Sequence, residues 1–314
     1  MLSGLELFPL VLLMAGGIAL DLLLGEARRW HPLVGFGKLA GVIEHAANRG
    51  TLRHAKGALA WMLAVLPPTL AAWALGRING IGAVLLHIAL LYFSIGLRSL
   101  REHVLPIANA LADNDLARAR QLTSSIVSRD TARADAADMA KAAVESTLEN
   151  GNDAVFGTLF WFLVAGGPGA LLFRLANTLD AMWGYRTERF LAFGWMAARA
   201  DDVLNWIPAR LTALSYALLG DTRRASHCWK TQAPAWSSPN AGPVMAAGAG
   251  ALGLALGGSA EYDGVAELRP PLGSGRLATA ADIGRAWRLV AHTCVLWVVM
   301  LSAGAFILER IMHA

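Results

Sequence analysis

The sequence predicts an all-α, polytopic integral membrane protein with roughly four to seven membrane segments, some of them re-entrant or broken. Three observations carry that expectation. The composition leans toward lipid: of 314 residues, 55% are hydrophobic and 16% charged, where average soluble domains hold about 45–50% and about 25%, and the mean hydropathy is +0.45. Several runs approach the ~20 apolar residues that a spanning helix needs. Basic residues crowd some connecting loops and are scarce in others, the asymmetry that orients membrane proteins. The same composition excludes intrinsic disorder, since ample apolar surface is available for burial. Two cysteines in so long a chain, Cys228 and Cys294, exclude a disulfide-stapled secreted scaffold. A net charge of +4, from 27 basic and 23 acidic residues, is too mild to argue for nucleic acid, and no such partner is expected.

Along the chain, residues 5–24 form the first span, with Asp21 near one end. Glu6 in front of it, the lack of a basic n-region and the lack of a clear cleavage site argue against a signal peptide. Residues 57–75 and 80–97 predict a transmembrane hairpin, joined by a short turn at Arg77-Ile78-Asn79-Gly80. Residues 289–309 form a strong last span. Three middle stretches stay open between span, re-entrant segment and buried helix: 154–176, broken by Gly166-Gly167-Pro168-Gly169; 203–220, with Pro208 and Arg210; and the Ala/Gly-rich 243–258. A break inside a bilayer is tolerated only where protein or a cavity covers the freed backbone groups. Basic residues fill the 25–56 loop (Arg28, Arg29, Lys38, Arg53, Lys56), the 98–152 segment and the run before the last span (Arg285, Arg288), whereas the 76–80 turn carries Arg77 alone. The large loops are therefore expected in the cytoplasm and both termini on the other side. The chain is expected to be one membrane-embedded domain over 1–314, with 98–152 as a cytoplasmic helical insertion.

Within that insertion, Leu111, Leu116, Ala119, Leu122 and Ile126 recur at helical spacing with charges between them. A second helix is expected to start near Ser128-Arg129-Asp130-Thr131, capped by the Asp or the Thr. At about 100° per residue, Thr131, Asp138, Ala142, Glu145 and Glu149 share a narrow stripe, with Asp135 close by. A stripe that meets a core is normally apolar. This one is acidic and runs into Asn150, Asn152 and Asp153. Two readings stand: a solvated acidic face, or a site for Mg²⁺ and phosphate near the membrane surface, since that ion takes oxygen ligands and keeps waters.

Downstream lie Asn177, Asp180, Gly184-Tyr185-Arg186, Arg189, Asp201-Asp202, Asn205 and Arg210. Ionisable residues at membrane depth are costly and mark functional sites, whereas arginines near span ends also serve as snorkelling anchors. Asp201 and Asp202 point to different sides of a helix, so at most one faces a given ligand. His31 follows Asp21 and Glu26 closely, and 237–242 is a turn by composition. The sequence holds no G-x-x-x-x-G-K-[ST] loop, no dinucleotide fingerprint and no Cys/His zinc cluster.

Block by block and in order, these residues resemble the CbiB/CobD family of cobalamin-biosynthesis membrane proteins. Asp21-Leu22-Leu23-Leu24-Gly25-Glu26, with His31-Pro32 and Gly35, is similar to the family's opening motif, and Ser128-Arg129-Asp130-Thr131 to its G/S-R-D-T motif. Val144-Glu145-Ser146, Glu149-Asn150 and Asp153 resemble V-E-[ST]-x-x-E-N-x-x-D. Asn177-Thr178, Asp180 and Gly184-Tyr185 resemble N-T-x-D-x-x-x-G-Y, and Ala198-Arg199, Asp201-Asp202, Asn205 and Ile207-Pro208-Ala209-Arg210 resemble A-R-x-D-D-x-x-N-x-I-P-A-R. Ser238-Pro239-Asn240-Ala241-Gly242, Leu256-Gly257-Gly258, Tyr262 and Gly264 are similar to the C-terminal block. Ser128 stands where many relatives have Gly, and Glu26 where many have Asp; neither change removes a functional group.

The resemblance implies an adenosylcobinamide-phosphate synthase in the bacterial cytoplasmic (inner) membrane, its site facing the cytoplasm. Such an enzyme is an ADP-forming, ATP-dependent amide ligase. It joins a carboxylate of adenosylcobyric acid to the amine of aminopropanol phosphate or ethanolamine phosphate. Mg²⁺, ATP as co-substrate, membrane lipid and later corrinoid-pathway enzymes are the implied cofactors and partners. A carboxylate is a poor electrophile, so an acyl phosphate is expected before the amine attacks, and phosphoryl transfer needs metal and cationic groups more than a covalent nucleophile. The acidic stripe offers the expected Mg²⁺ ligands, Glu145, Glu149, Asp153 and Asp138. Glu145, Glu149, Asp180, Asp201, Asp202 and His31 are the catalytic candidates, one of which takes the amine proton. Arg129, Asp130, Thr131, Asn177, Arg186, Arg210 and Asn240 are expected at the co-substrate, the guanidiniums as forks on phosphate or carboxylate. The alternatives are a non-enzymatic membrane sensor or regulator of related architecture, which needs no such acidic stripe together with the Asp pair, and a transporter with a broken helix, which should show two-fold repetition.

Overall fold

The computed structural model describes residues 5–27, 31–78, 80–127, 129–262 and 265–312. Arg28, Arg29, Asn79, Ser128 and Gly264, named above, lie outside the described residues, as does the side chain of Tyr262. The chain is 77% helical with one small sheet. In order it runs α1 (Leu7–Leu24), α2 (Pro32–Ala47), α3 (Arg53–Gly76), α4 (Ile81–Ser94), α5 (Leu97–Ala112), α6 (Leu116–Ser124) and α7 (Ala136–Asn150). A π-helical turn (Gly151–Phe156) leads to α8 (Gly157–Trp183), α9 (Trp195–Leu219), α10 (Thr222–Gln232) and α11 (Ala241–Leu252). Strands β1 (Leu254–Tyr262), β2 (Val265–Gly273) and β3 (Arg276–Leu277) precede α12 (Ala280–Met312).

Among the described residues, five helical stretches are long and apolar enough to cross a membrane: Leu7–Leu24, Arg53–Gly76, Ile81–Ala112, Ala136–Trp183 and Ala280–Ile311. The expected first span, the hairpin and the last span are all among them. The 154–176 stretch falls inside the fourth, which at 48 residues is more than twice the ~20 that a bilayer core requires. An odd number of full crossings would put the termini on opposite sides, against the arrangement that loop charge alone suggests. The 203–220 stretch is the end of α9, which is not one of the five. Residues 243–258 are not a span at all. Helix α11 has 12 residues and stops at Gly253, whose φ of 68° is the left-handed terminator that glycine supplies; the rest belongs to β1.

The chain divides into two compact units. The first comprises Met1–Gly96, Asp153–Asn205 and Val298–Ala314; the second comprises Leu97–Asn152 and Trp206–Trp297. The segment expected as an insertion over 98–152 is thus one part of the second unit, which also draws on residues far downstream.

The first unit is built around a core that includes Trp61, Val65, Leu179, Trp183 and Phe193. Gly57 on α3 lies against the Phe193 carbonyl so closely that any side chain there would overlap it. Helix α8 breaks where its glycines predict, with Ala165 at φ −138° and Gly166 at φ 66°. The N–H of Gly167 that this break frees donates to His87 Nδ1 on α4 at 2.8 Å, and His87 is 1% exposed. The requirement that protein cover such a break inside a bilayer is met by one imidazole.

In the second unit, α7 begins at Ala136, not at Ser128–Thr131. Asp135 is its cap, accepting the Asp138 N–H at 2.8 Å. The earlier polar residues serve the loop instead: Asp130 Oδ1 accepts the Ala132 N–H at 2.8 Å, and Thr131 Oγ1 donates to the Arg120 carbonyl at 3.1 Å. Side chains that bond nearby backbone in this way favour turns over helix interiors, so Thr131 leaves the acidic stripe. The sheet has the order β2-β1-β3, β1 and β2 being antiparallel and β1 and β3 parallel. A bulge interrupts the β1–β2 register between Gly257 and Gly258, whose φ values are 74° and 70°.

Candidate functional site

The second unit turns its buried acidic residue into an arginine anchor. Glu145 on α7 is 2% exposed. Its Oε1 accepts the Gly257 N–H at 2.7 Å, the bond that the bulge in β1 leaves over, and Arg269 Nη2 at 3.2 Å. Its Oε2 accepts Arg269 Nη1 at 2.9 Å and a short hydrogen bond from Arg129 Nη2. The two arginine side chains are only 11% and 10% exposed. Glu149 lines the same cavity as this cluster, so two guanidiniums and two carboxylates balance in formal charge there. Buried charges persist only when paired and hydrogen-bonded, and this cluster satisfies both conditions.

The clamp faces a cavity of about 270 Å³ lined by Arg129, Glu145, Glu149, Asn150, Trp236, Ser238 and Arg269. The Arg269 guanidinium stands 5.7 Å from the Trp236 ring. The turn at 237–242 is fixed from two sides. Ser238 Oγ accepts the N–H groups of Asn240 and Ala241 at 3.3 and 3.1 Å. Arg210 donates to Asn240 Oδ1 at 2.8 Å and to the Pro239 carbonyl at 3.1 Å, with Trp206 4.5 Å beneath it. Arg210 and Asn240 therefore shape the wall of this cavity.

A second cavity of about 250 Å³ is lined by Arg129, Asp130, Thr131, Arg133, Asp138, Lys141 and Ser259. Arg129 is common to both cavities. Lys141 Nζ donates to the Ser259 carbonyl at 3.0 Å and pairs with Asp138 at 3.3 Å.

The first unit gathers another polar set. Asp201 accepts Asn177 Nδ2 at 3.2 Å and Asn205 Nδ2 at 3.1 Å, and Arg174 Nη1 reaches Asn177 Oδ1 at 3.4 Å. Burial pushes the Asp201 carboxyl above the usual range, the two amide donors work against that, and the Asp202 charge adds to it. Burial also raises Asp202, opposed by Arg199 and Arg186. Carboxyls with raised proton affinity have the chemistry of general acids and bases. Gly184 caps α8 beside Asp180, donating its N–H to the Asp180 carbonyl at 2.7 Å, and any Cβ there would strike the Asp180 side chain. Asp153 and Glu26 exert their charge on Arg174.

His31 is occupied otherwise than expected. It caps α2, its Nδ1 accepting the Leu33 N–H at 3.2 Å. Burial lowers its proton affinity, against the pull of Glu26. An imidazole that accepts at Nδ1 carries its proton on Nε2, so in this state it offers a donor and no vacant base. Glu44, which the sequence did not single out, is bound through both oxygens by Arg189 at 3.1 and 2.6 Å; that guanidinium holds its carboxyl below the usual range.

The structure thus brings Arg129, Glu145 and Glu149 to one cavity, Arg129, Asp130, Thr131 and Asp138 to another, and Asn177 to Asp201. The four carboxylates expected to hold Mg²⁺ do not gather: among the described residues, no three His, Cys, Asp or Glu side chains are grouped for a metal. The oxygens of Glu145 already serve arginines, and Asp138 lines the second cavity. Arg269 escaped the sequence reading because Glu145, its partner, lies 124 residues away; Trp236, Lys141 and Arg174 were not singled out either.

A family profile described as CobD/Cbib protein matches residues 14–290. This chain belongs to the CobD/Cbib family. Curated relatives named "Cobalamin biosynthesis protein CobD" agree: one from Stutzerimonas stutzeri is 57% identical over 93% of this chain and 97% of its own length. One from Chromobacterium violaceum is 55% identical over 95% and 97%. One from Halalkalibacterium halodurans is 35% identical over 95% and 97%. No solved structure matches. This CobD/Cbib chain is a multi-pass membrane protein of cobalamin biosynthesis.

Proposed function

We propose that this CobD/Cbib protein is the ATP-dependent, ADP-forming ligase that joins adenosylcobyric acid to aminopropanol phosphate or ethanolamine phosphate, giving adenosylcobinamide phosphate at the cytoplasmic face of the inner membrane. The observation that supports it most is the Arg129–Glu145–Arg269 clamp on the wall of a polar cavity, in which Arg129 and Glu145 belong to the motifs that carry the family likeness. In the proposed reaction a corrinoid carboxylate oxygen attacks the γ-phosphorus of ATP, the bond to ADP breaks, and an acyl phosphate forms. The amine then attacks the acyl carbon, inorganic phosphate leaves, and the amine gives up a proton. Glu145 holds Arg129 and Arg269 in fixed positions, so their guanidiniums meet the transferring phosphoryl group without reorganisation. Glu149, on that cavity wall, would be the carboxylate to help hold a nucleotide-borne Mg²⁺, which would supply charge neutralisation to the phosphates.

The test is turnover. Purified protein in nanodiscs is given adenosylcobyric acid, aminopropanol phosphate, ATP and Mg²⁺, with mass spectrometry of the corrinoid. The expected result is one ADP per amide. AMP in place of ADP would replace the acyl phosphate by an adenylate. No amide from folded protein with either amino-alcohol phosphate would sink the synthase and favour a regulator.

A further inference from the structure

We infer that the cavity between the Arg129 loop, the first turns of α7 and β1 is the subsite for a small primary amine that carries a phosphate monoester, the amine-bearing substrate of the reaction proposed above, on which this inference rests. Its walls carry both signs of charge: Arg129, Arg133 and Lys141 against Asp130 and Asp138. A polyanion would meet two carboxylates there, and a simple cation would meet Arg133 and Lys141. A molecule with a phosphate at one end and an ammonium at the other complements both. Size points the same way. A volume of about 250 Å³ holds about eight waters at ~30 Å³ each, enough for an amino-alkyl phosphate of about nine heavy atoms but too small for a nucleotide or a corrin.

The donors are prepared for this. The Lys141 side chain is 16% exposed. Two of its three N–H directions go to the Ser259 carbonyl and Asp138, which leaves one for the cavity. Arg133 is exposed at the rim. One oxygen of Asp130 accepts the Ala132 N–H, and its other oxygen suits an ammonium. Arg129 lines this cavity and its neighbour, so a phosphate ester held here shares a guanidinium with the phosphoryl-handling cavity.

The experiment measures binding and steady-state kinetics on the full chain in nanodiscs. The probes are aminopropanol phosphate, propyl phosphate (the same ester without the amine) and inorganic phosphate. Lys141→Met and Arg133→Ala are each expected to raise KM and Kd for aminopropanol phosphate roughly tenfold, with KM for ATP unchanged within about twofold. Asp130→Asn should abolish the wild-type preference for aminopropanol phosphate over propyl phosphate. Arg133 is at the surface, so its variant decides the matter if Lys141→Met does not fold. Amide synthesis with unaltered KM in both cation variants overturns the subsite and leaves the synthase standing. An equal rise in KM for ATP overturns it as well, giving the cavity to the nucleotide. If wild-type protein makes no amide yet binds aminopropanol phosphate through Lys141 and Arg133, the subsite stands and the synthase falls.

Discussion

Each unit contains an interruption of regular backbone that frees an N–H for a distant side chain. In the first unit the break in α8 gives its Gly167 N–H to His87, 80 residues away in sequence. In the second the bulge in β1 gives its Gly257 N–H to Glu145, 112 residues away. The acceptors differ in kind. His87 accepts at Nδ1 and is therefore a neutral imidazole, and the bond closes a local need. Glu145 is charged and passes its charge on to Arg129 and Arg269 at a cavity. The same backbone problem is solved once for structure alone and once for structure and ligand chemistry together.

Removing each acceptor should separate the two cases. Glu145→Gln keeps a hydrogen-bond partner for Gly257 but removes the carboxylate that pairs two buried guanidiniums. It is expected to cost about 3–5 kcal/mol of stability and to abolish amide formation, read from the melting temperature in detergent and from the corrinoid product. An unchanged melting temperature would mean that Glu145 is a solvated carboxylate after all. His87→Leu strands the Gly167 N–H and should cost about 1–3 kcal/mol, while amide formation persists at temperatures where the variant is folded. Lost turnover in a variant with a wild-type melting curve would give His87 a role in the chemistry and erase the contrast.

Asp201→Asn sharpens the comparison from a third side, because this buried carboxyl has amide neighbours where Glu145 has guanidiniums. Near neutral pH the change should be the smallest of the three, about 1 kcal/mol. Its sign follows from burial. The folded state holds the Asp201 proton more tightly than the unfolded chain does, where an Asp titrates near about 3.9. Wild-type stability therefore falls as pH climbs from about 4 through the raised folded-state value. The variant cannot ionise, so its stability relative to wild type should increase across that window and then level off. Chemical denaturation over a pH series checks this, and a difference that stays flat with pH would mean that Asp201 is an ordinary ionised carboxylate.

The spans were legible in the sequence because a run of apolar residues is a local property, and so was the glycine-marked break at 166–169. What receives the freed N–H groups was not legible, since neither His87 nor Arg269 stands in any pattern with its partner. The acidic stripe was half legible. Asp138, with a side chain 54% exposed, fits a solvated face, whereas Glu145 is neither solvated nor placed with other carboxylates around a metal. Thr131 left the stripe because Asp135 made the better cap. The strand at 254–262 went unseen because short apolar runs rich in Ala and Gly do not distinguish helix from strand by period.

The Glu145 clamp also sets an order of events on the ribosome. Arg129 is synthesised 16 residues before the carboxylate and Arg269 124 residues after it. At about 5–20 residues per second, Glu145 waits roughly 6–25 s for its bidentate partner. Over that interval α7 has one guanidinium to neutralise it, and β1 has no β2 to pair with. The hairpin formed by β1 and β2 is thus the latch of the second unit, delivering the missing charge and the antiparallel ladder of β1 in one movement. A nascent chain stopped short of it lacks a counter-ion as well as a strand.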